Sequence, residues 1–268
     1  MWDPDVYRRF GAERSRPFDD LVGRIGARTP RAVVDLGCGS GELTAGLGRR
    51  WPGSRIVGVD SSAEMIRAAR ARPGRCAYEV GDLRDFVPAP DVDVLISNAA
   101  LQWVPEHREL LLRWIAGLPP GGWLAMQVPG NFDAPSHRAL REVAGRAPYA
   151  PRLAGVVRAD PVDDPSGYAA MLSAAGAAVD AWETTYVHLL PDDDGDPPVL
   201  RWMEGTALRP IRAALDDAAW SSFRAHLAAE LAVAYPPRDG LVAFPFRRVF
   251  VVARTPSAPN RTTDKEPS

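Results

Sequence analysis

Hydrophobic and polar residues follow two alternating patterns in the first half of the chain. Short apolar runs, typical of buried strands, are separated by stretches in which apolar residues recur at helical spacing. Between residues 31 and 130 this alternation predicts an α/β fold, a mostly parallel, doubly wound sheet with helices on both faces. The predicted strands are Ala32–Gly37, Arg55–Asp60, Cys76–Asp82, Val92–Asn98 and Trp123–Val128.

Two helices are predicted with defined ends inside this region. The segment 61–64, Ser-Ser-Ala-Glu, fits a capping box in which Ser61 is the N-cap and Glu64 reaches back to it. A second helix carries Leu111 and Trp114 on its apolar face, and the Pro-Pro-Gly-Gly sequence at 119–122 ends it.

The second half of the chain is less regular. Its expected elements are a helix at Pro165–Ala175, a strand at Val179–Leu190, an amphipathic helix around Trp220–Leu231 and a strand at Ala243–Arg254. We expect a single domain over residues 1–254, with a cofactor-binding half at 31–130 and a helical lid at about 191–240. Residues 255–268 lack large apolar side chains, which predicts a disordered tail.

Composition excludes several classes of protein. The 268 residues are 46% hydrophobic and 25% charged, enough for a sizeable core. The formal net charge of -2 argues against a nucleic-acid binder. The lack of a long apolar run or signal peptide predicts a cytoplasmic protein without a membrane anchor. Two cysteines and four scattered histidines indicate neither a disulfide framework nor a metal site, and no obligatory protein partner is indicated.

A glycine-rich turn follows the first predicted strand and precedes a helix. Gly37, Gly39 and Gly41 allow the backbone to approach a ligand at a helix N-terminus. Asp60 ends the next strand, where a carboxylate can hold both hydroxyls of a ribose. This arrangement predicts a cofactor that contains adenosine.

Two further acids separate the cofactor candidates, and a third is a candidate contact to the adenine. Glu42 stands where a dinucleotide fingerprint has glycine, and its carboxylate is unfavourable beside a pyrophosphate, which argues against NAD. Asp35 is placed to attract the ammonium or sulfonium of S-adenosylmethionine. Asp82 is either an acceptor for the adenine amino group or a helix cap. The backbone carbonyl of Asn98 either meets the cofactor's amino group or belongs to an ordinary turn.

The loop at 35–41, Asp-Leu-Gly-Cys-Gly-Ser-Gly, followed by Gly-Val-Asp-Ser-Ser at 58–62, resembles the motifs of class I S-adenosylmethionine-dependent methyltransferases. The resemblance implies a Rossmann-like fold and S-adenosyl-L-methionine as the cofactor. The residues expected at the cofactor are Asp35, Gly37, Cys38, Gly39, Gly41, Asp60, Ser61, Asp82, Leu83 and Asn98.

A narrower likeness extends over most of residues 1–254. Trp-Asp-Pro at 2–4, Asn-Ala-Ala-Leu-Gln-Trp-Val-Pro-Glu-His at 98–107 and Phe-Pro-Phe-Arg-Arg-Val-Phe at 244–250 resemble the trans-aconitate 2-methyltransferase family. The resemblance implies a carboxyl O-methyltransferase that forms the monomethyl ester of trans-aconitate or a closely related small polycarboxylic acid. The loop and the acidic insert around Asp193 depart slightly from the family pattern.

The implied reaction needs alignment more than acid–base chemistry. A carboxylate is already ionised near neutral pH, so we expect no catalytic base. A polyanionic substrate needs cationic and hydrogen-bonding groups. The candidates are Arg14, Arg209 and Arg247, with Tyr7, Gln102, Trp103, His107 and Tyr186 as helpers.

Each of these candidates also has a purely structural interpretation, as a solvated arginine, a packed aromatic residue or, for His107, a helix cap. Three alternative functions remain open. They are a dinucleotide-dependent oxidoreductase, a methyltransferase for a phenol or amine, and a non-catalytic protein that binds an adenosyl ligand.

Overall fold

The computed structural model describes residues 11–157, 161–192 and 195–257. Its strands are β1 (Ala32–Leu36), β2 (Arg55–Asp60), β3 (Ala77–Val80), β4 (Val92–Asn98), β5 (Trp123–Pro129), β6 (Ala178–Pro191) and β7 (Leu241–Arg254). Its helices are α1 (Gly11–Gly23), α2 (Glu42–Arg50), α3 (Ala63–Arg70), α4 (His107–Gly117), α5 (Pro135–Ala144), α6 (Ala150–Leu153), α7 (Pro165–Ala174), α8 (Pro198–Glu204), α9 (Arg209–Ala214) and α10 (Asp217–Ala234).

The described strands form one seven-stranded sheet. Its order is β3-β2-β1-β4-β5-β7-β6, and the four pairs among β1 to β5 are parallel. In the register, Asp35 of β1 lies opposite Gly58 of β2 and Ile96 of β4. Because these strands are parallel, their carboxyl ends lie at the same edge of the sheet. That edge carries Asp35, Asp60 and Asn98.

The described chain divides into two compact units. The sheet unit comprises residues 18–127, 165–182 and 250–257, and its core contains Leu36, Leu95 and Trp114. The helical unit comprises the remaining described residues. Its core is a cluster of aromatic and aliphatic side chains around Phe223 and Phe244.

The predicted strands are confirmed with small shifts of their ends. β2 and β4 have the predicted bounds, whereas β3 ends at Val80, two residues before Asp82. The helices expected near 107–117, 165–175 and 220–231 are also present. Helix α5 is not among the predicted elements. It begins with a proline at its first position, where the missing N–H costs nothing.

The predicted capping box is wrong by one residue. The N-cap of α3 is Ser62, whose hydroxyl accepts a hydrogen bond from the Met65 N–H at 3.3 Å. The Ser62 N–H donates to the Asp60 carboxylate at 2.9 Å. Asp60 therefore accepts the backbone N–H of the actual N-cap, Ser62, and Ser61 precedes the helix.

The predicted disordered tail begins too early. Thr255 is buried, and its hydroxyl donates to the Pro119 carbonyl at 2.6 Å. The Gly121 N–H donates to the Pro256 carbonyl at 3.0 Å. These bonds hold the residues after β7 against the Pro-Pro-Gly-Gly turn. Asp193 and the predicted tail from Ala258 onward lie outside the described residues.

Two classes of feature are absent from the described ranges. None of the helices there combines the length and the apolar character needed to cross a bilayer. Within the same residues, no group of three His, Cys, Asp or Glu side chains is arranged to hold a metal ion.

Candidate cofactor site

The glycine loop connects β1 to α2, and its three glycines all have positive φ angles, 78° at Gly37, 55° at Gly39 and 72° at Gly41. A Cβ at Gly37 would lie 2.4 Å from the Ala100 Cβ, and one at Gly41 would lie 2.6 Å from the Tyr78 Cε1. At Gly39, by contrast, a Cβ would have no atom within 4 Å. Gly37 and Gly41 thus permit close packing inside the protein, while Gly39 leaves the backbone open to a ligand.

Asp60 connects the glycine loop to the next strand. One carboxylate oxygen accepts a hydrogen bond from the Gly39 N–H, and the other accepts one from the Ser62 N–H, both at 2.9 Å. A carboxylate offers about four acceptor positions, so these two bonds leave capacity for two hydroxyl donors. Ser61 is exposed beside it.

Asp35 is a buried acid near the end of β1, two residues before Gly37. Only 3% of the residue is exposed, and the Thr44 hydroxyl donates to its carboxylate at 2.6 Å. Burial raises the pKa of Asp35 from 3.8 to about 6; the Thr44 hydrogen bond opposes this rise, and the charge of Asp60 adds to it. A cation near this carboxylate would stabilise its ionised form.

Cys38 lies in the loop between these two acids. Burial raises the pKa of its thiol far above the ordinary value, and the charges of Asp35 and Asp60 raise it further. The side chain therefore remains a thiol and cannot act as a nucleophile at neutral pH.

The turn after β4 contributes an unsatisfied polar atom. The side-chain oxygen of Asn98 is buried and has no hydrogen-bond partner among the described residues. The next residue, Ala99, has a φ of 55°, which is strained for a residue with a Cβ. Its N–H donates to the Gln127 carbonyl at 2.8 Å, and the Gln102 side-chain amide donates to its carbonyl at 2.7 Å. These two hydrogen bonds hold the strained turn at the N–H and at the carbonyl of Ala99. Nearby in the sequence, Trp103 is 55% exposed.

Asp82 lies in a turn after β3 and already has a protein partner. Its carboxylate accepts hydrogen bonds from the Arg84 guanidinium at 2.5 to 3.0 Å and from the Arg84 N–H at 2.8 Å. These bonds hold the pKa of Asp82 below its ordinary value. An adenine amino group would therefore share this carboxylate with Arg84. Leu83 lies next to it and is half-buried.

His107 has a structural environment. The ring is 0% exposed, its Nδ1 lies 2.9 Å from the Val104 carbonyl, and its Nε2 lies 2.8 Å from the Tyr168 hydroxyl. A carbonyl can only accept, so Nδ1 carries the proton and Nε2 accepts from the Tyr168 hydroxyl. Both nitrogens therefore have protein partners, and the proposed contact of His107 with substrate has no geometric support.

Three of the other substrate candidates lie in the helical unit. Tyr186 is 4% exposed and packs under the Arg16 guanidinium, 5.1 Å from its ring centroid. Arg247 pairs with Glu183 at 2.5 Å, whereas Arg209 is exposed at the start of α9. Outside the described side chains lie Tyr7 and Arg14.

The sequence matches the family described as "Methyltransferase domain" over residues 33–122. It is 55% identical to the trans-aconitate 2-methyltransferase of Mycobacterium sp. (strain KMS), with 95% of this chain and 100% of that protein covered. The enzyme of that name from Mycobacterium tuberculosis (strain ATCC 25177 / H37Ra) is 52% identical, with coverages of 96% and 98%. The chain belongs to the trans-aconitate 2-methyltransferase family.

Solved structures confirm the predicted class I methyltransferase fold. YcgJ from Bacillus subtilis matches with a TM-score of 0.57 at 15% identity, covering 91% of this chain and 99% of that one. A phosphoethanolamine N-methyltransferase from Haemonchus contortus, solved with S-adenosyl-L-methionine, matches with a TM-score of 0.52 at 16% identity, with coverages of 90% and 53%. At these identities the likeness concerns the fold alone.

Sequence reasoning missed two residues that shape the loop. Thr44 is fully buried and holds Asp35. Tyr78 packs beside Gly41, and its hydroxyl donates to the Gly41 carbonyl at 3.2 Å. A hydroxyl in the first turn after the loop was a usable signal for Thr44. No sequence signal indicated Tyr78, because it lies in a strand far from the glycine loop in the sequence.

Proposed function

We propose that this protein transfers a methyl group from S-adenosyl-L-methionine to a carboxylate of trans-aconitate, or of a closely related small polycarboxylic acid, and releases the monomethyl ester. The observation that carries the proposal is the 55% identity to a trans-aconitate 2-methyltransferase over the full length of that protein. The geometry of the glycine loop supports the choice of cofactor.

The residues of the sheet unit suit this cofactor. The open face of Gly39 admits a ligand against the backbone, and Asp60 has acceptor capacity for the two ribose hydroxyls. Asp35 and the Asn98 carbonyl supply negative potential for a cationic amino acid group. When bound, S-adenosyl-L-methionine supplies a methyl group activated by its sulfonium. Asp82 and Leu83 are assigned to the adenine, with Asp82 shared with Arg84.

The task of the protein is to align the acceptor, because an ionised carboxylate needs no base. Two side chains of the sheet unit that could serve as a base for a phenol or amine acceptor are not available for that role. Both nitrogens of His107 are hydrogen-bonded, and Cys38 is held as a thiol. These contacts favour a carboxylate as the acceptor.

Positive side chains have to offset the charge of the acid. Arg209 is the strongest candidate, since it is exposed and Arg247 is already paired with Glu183. The further assignments to substrate binding are Tyr7, Arg14, Gln102, Trp103, Tyr186 and Arg247. The two free cysteines are compatible with the reducing cytoplasm, the location that we propose.

The test is transfer of a labelled methyl group from S-adenosyl-L-methionine to trans-aconitate, citrate and isocitrate, with the mass of each product recorded. We expect a single methyl group on trans-aconitate and little on the others. Arg209→Ala should raise the KM for the acid while leaving the cofactor affinity unchanged, and Arg238→Ala, at an exposed arginine near β7, is the matched control. Cofactor binding without transfer to any acid would overturn the proposed acceptor.

A further inference from the structure

Residues just before and just after helix α3, Ser62 and Arg72, form hydrogen bonds with the cofactor site. At its N-terminus the Ser62 N–H donates to Asp60, the carboxylate that also holds the Gly39 N–H. At its C-terminus the chain continues into Arg72, whose N–H donates to the Ala69 carbonyl at 3.1 Å. One short helix therefore orients both the ribose acid and the arginine that follows its last turn.

Arg72 reaches the outer side of the glycine loop. Its Nε donates to the Ser40 carbonyl at 2.7 Å, and its Nη2 lies 3.5 Å from a carboxylate oxygen of Glu42. The peptide between Ser40 and Gly41 is planar, so fixing the carbonyl also fixes the N–H on its opposite side. That N–H donates to the Cys38 carbonyl at 3.1 Å.

A second set of hydrogen bonds supports the glycine loop through Tyr78. The Arg70 guanidinium donates twice to the Tyr78 carbonyl, at 2.9 and 2.7 Å, and the Tyr78 hydroxyl donates to the Gly41 carbonyl at 3.2 Å. Two adjacent carbonyls of the loop, at residues 40 and 41, are thus held by donors from the end of α3 and from β3.

These contacts close a ring from Asp60 through the loop to Arg72, along α3 to Ser62 and back to Asp60. We propose that Arg72 is a positioning residue that holds the glycine loop in the conformation that binds the cofactor. A loop with glycines at 37, 39 and 41 has many alternative conformations, and each one excluded beforehand lowers the entropic cost of binding. The inference rests on the proposed use of S-adenosyl-L-methionine.

The positive charge of Arg72 strengthens its hydrogen bond to Ser40 but does not act on the ligand directly. Glu42 lies beside the guanidinium, and the side chain is 38% exposed, so solvent and a counter-charge screen it. The contribution of Arg72 is therefore geometric. It should affect the cationic S-adenosyl-L-methionine and the neutral S-adenosylhomocysteine equally, because both use the same loop.

The test is calorimetric titration of both ligands into the full-length protein and the Arg72→Leu variant. We expect the Kd to rise roughly three- to tenfold for both ligands, the range of a partly exposed charge-assisted hydrogen bond. The kcat at saturating cofactor should remain near that of the wild type, and Arg72→Lys should recover part of the affinity. Arg67→Leu, at an exposed arginine of the same helix, is the control.

The outcomes separate the two proposals. A wild-type protein that binds neither ligand contradicts the proposed function. Wild-type binding with an unchanged Kd in Arg72→Leu contradicts the positioning role, and a loss confined to S-adenosyl-L-methionine shows that the charge matters instead. Thermal unfolding of each variant checks that it is folded, and Arg72→Ala replaces the leucine variant if the latter does not fold.

Discussion

Replacing Asp35 by asparagine should stabilise the ligand-free protein at neutral pH. The pKa of Asp35 is raised from 3.8 to about 6, chiefly because the side chain is buried. Each pKa unit corresponds to 1.36 kcal/mol, so keeping this carboxylate ionised in the folded state costs about 3 kcal/mol above pH 6. An asparagine of the same shape can still accept the Thr44 hydrogen bond and carries no charge.

The pH dependence of the stability difference identifies Asp35 as the titrating group. Between pH 3.8 and 6 the folded state binds more protons at Asp35 than the unfolded state does, so this contribution to stability falls as the pH rises. It is lost fully above the folded pKa. The free energy of unfolding of Asp35→Asn minus that of the wild type should therefore increase by roughly 1.5 kcal/mol between pH 5 and 7.5.

Urea unfolding at several pH values measures this difference directly, because other titrating groups contribute equally to both proteins. Thr44→Val is the matched control. It removes the donor that favours the ionised carboxylate, so it should destabilise the protein, and more at pH 7.5 than at pH 5. A difference between Asp35→Asn and wild type that does not vary with pH would refute the assignment of a raised pKa to Asp35.

The remaining predictions concern the loop and its surroundings. Asp60→Ala should weaken binding of S-adenosyl-L-methionine by about 1–3 kcal/mol, measured by calorimetry; an unchanged affinity in a folded variant would rule out the ribose role. Tyr168→Phe removes the donor to His107 and should cost about 1–3 kcal/mol in urea unfolding while kcat/KM stays the same; lost activity without lost stability would point to a functional His107. Gly41→Ala forces a residue with a Cβ to a φ of 72° against Tyr78 and should lower stability by at least about 1–2 kcal/mol, so an unchanged unfolding midpoint would contradict the close packing of Gly41 against Tyr78.

The fold of the sheet unit could be predicted because its signals are local. The apolar runs that form β2 and β4 are bounded by polar residues, and their limits are those expected. The helical unit was less accessible, since its helices pack through a cluster that joins residues from 139 to 246. The periodic pattern of a segment indicates which face of a helix is apolar, but it does not indicate which distant segment that face packs against.

The same contrast between local signals and long-range contacts applies to the candidate site. The glycine loop and Asp60 lie close together in sequence and follow a known spacing. The bond from Tyr78 to Gly41 joins residues 37 positions apart, and no local pattern predicts it. The two serines at 61 and 62 show a different limit. Both fit an N-cap in the sequence, and the hydrogen bonds of Ser62 to Met65 and Asp60 distinguish them.

The protonated thiol of Cys38 has a consequence for oxidative chemistry. Peroxides and alkylating reagents attack the thiolate, and burial, assisted by two neighbouring carboxylates, disfavours that form here. A sulfur atom in the middle of a ligand-binding loop is ordinarily a point of vulnerability. In this protein burial, together with the negative charges that suit a sulfonium ligand, keeps the loop sulfur in its less reactive protonated form.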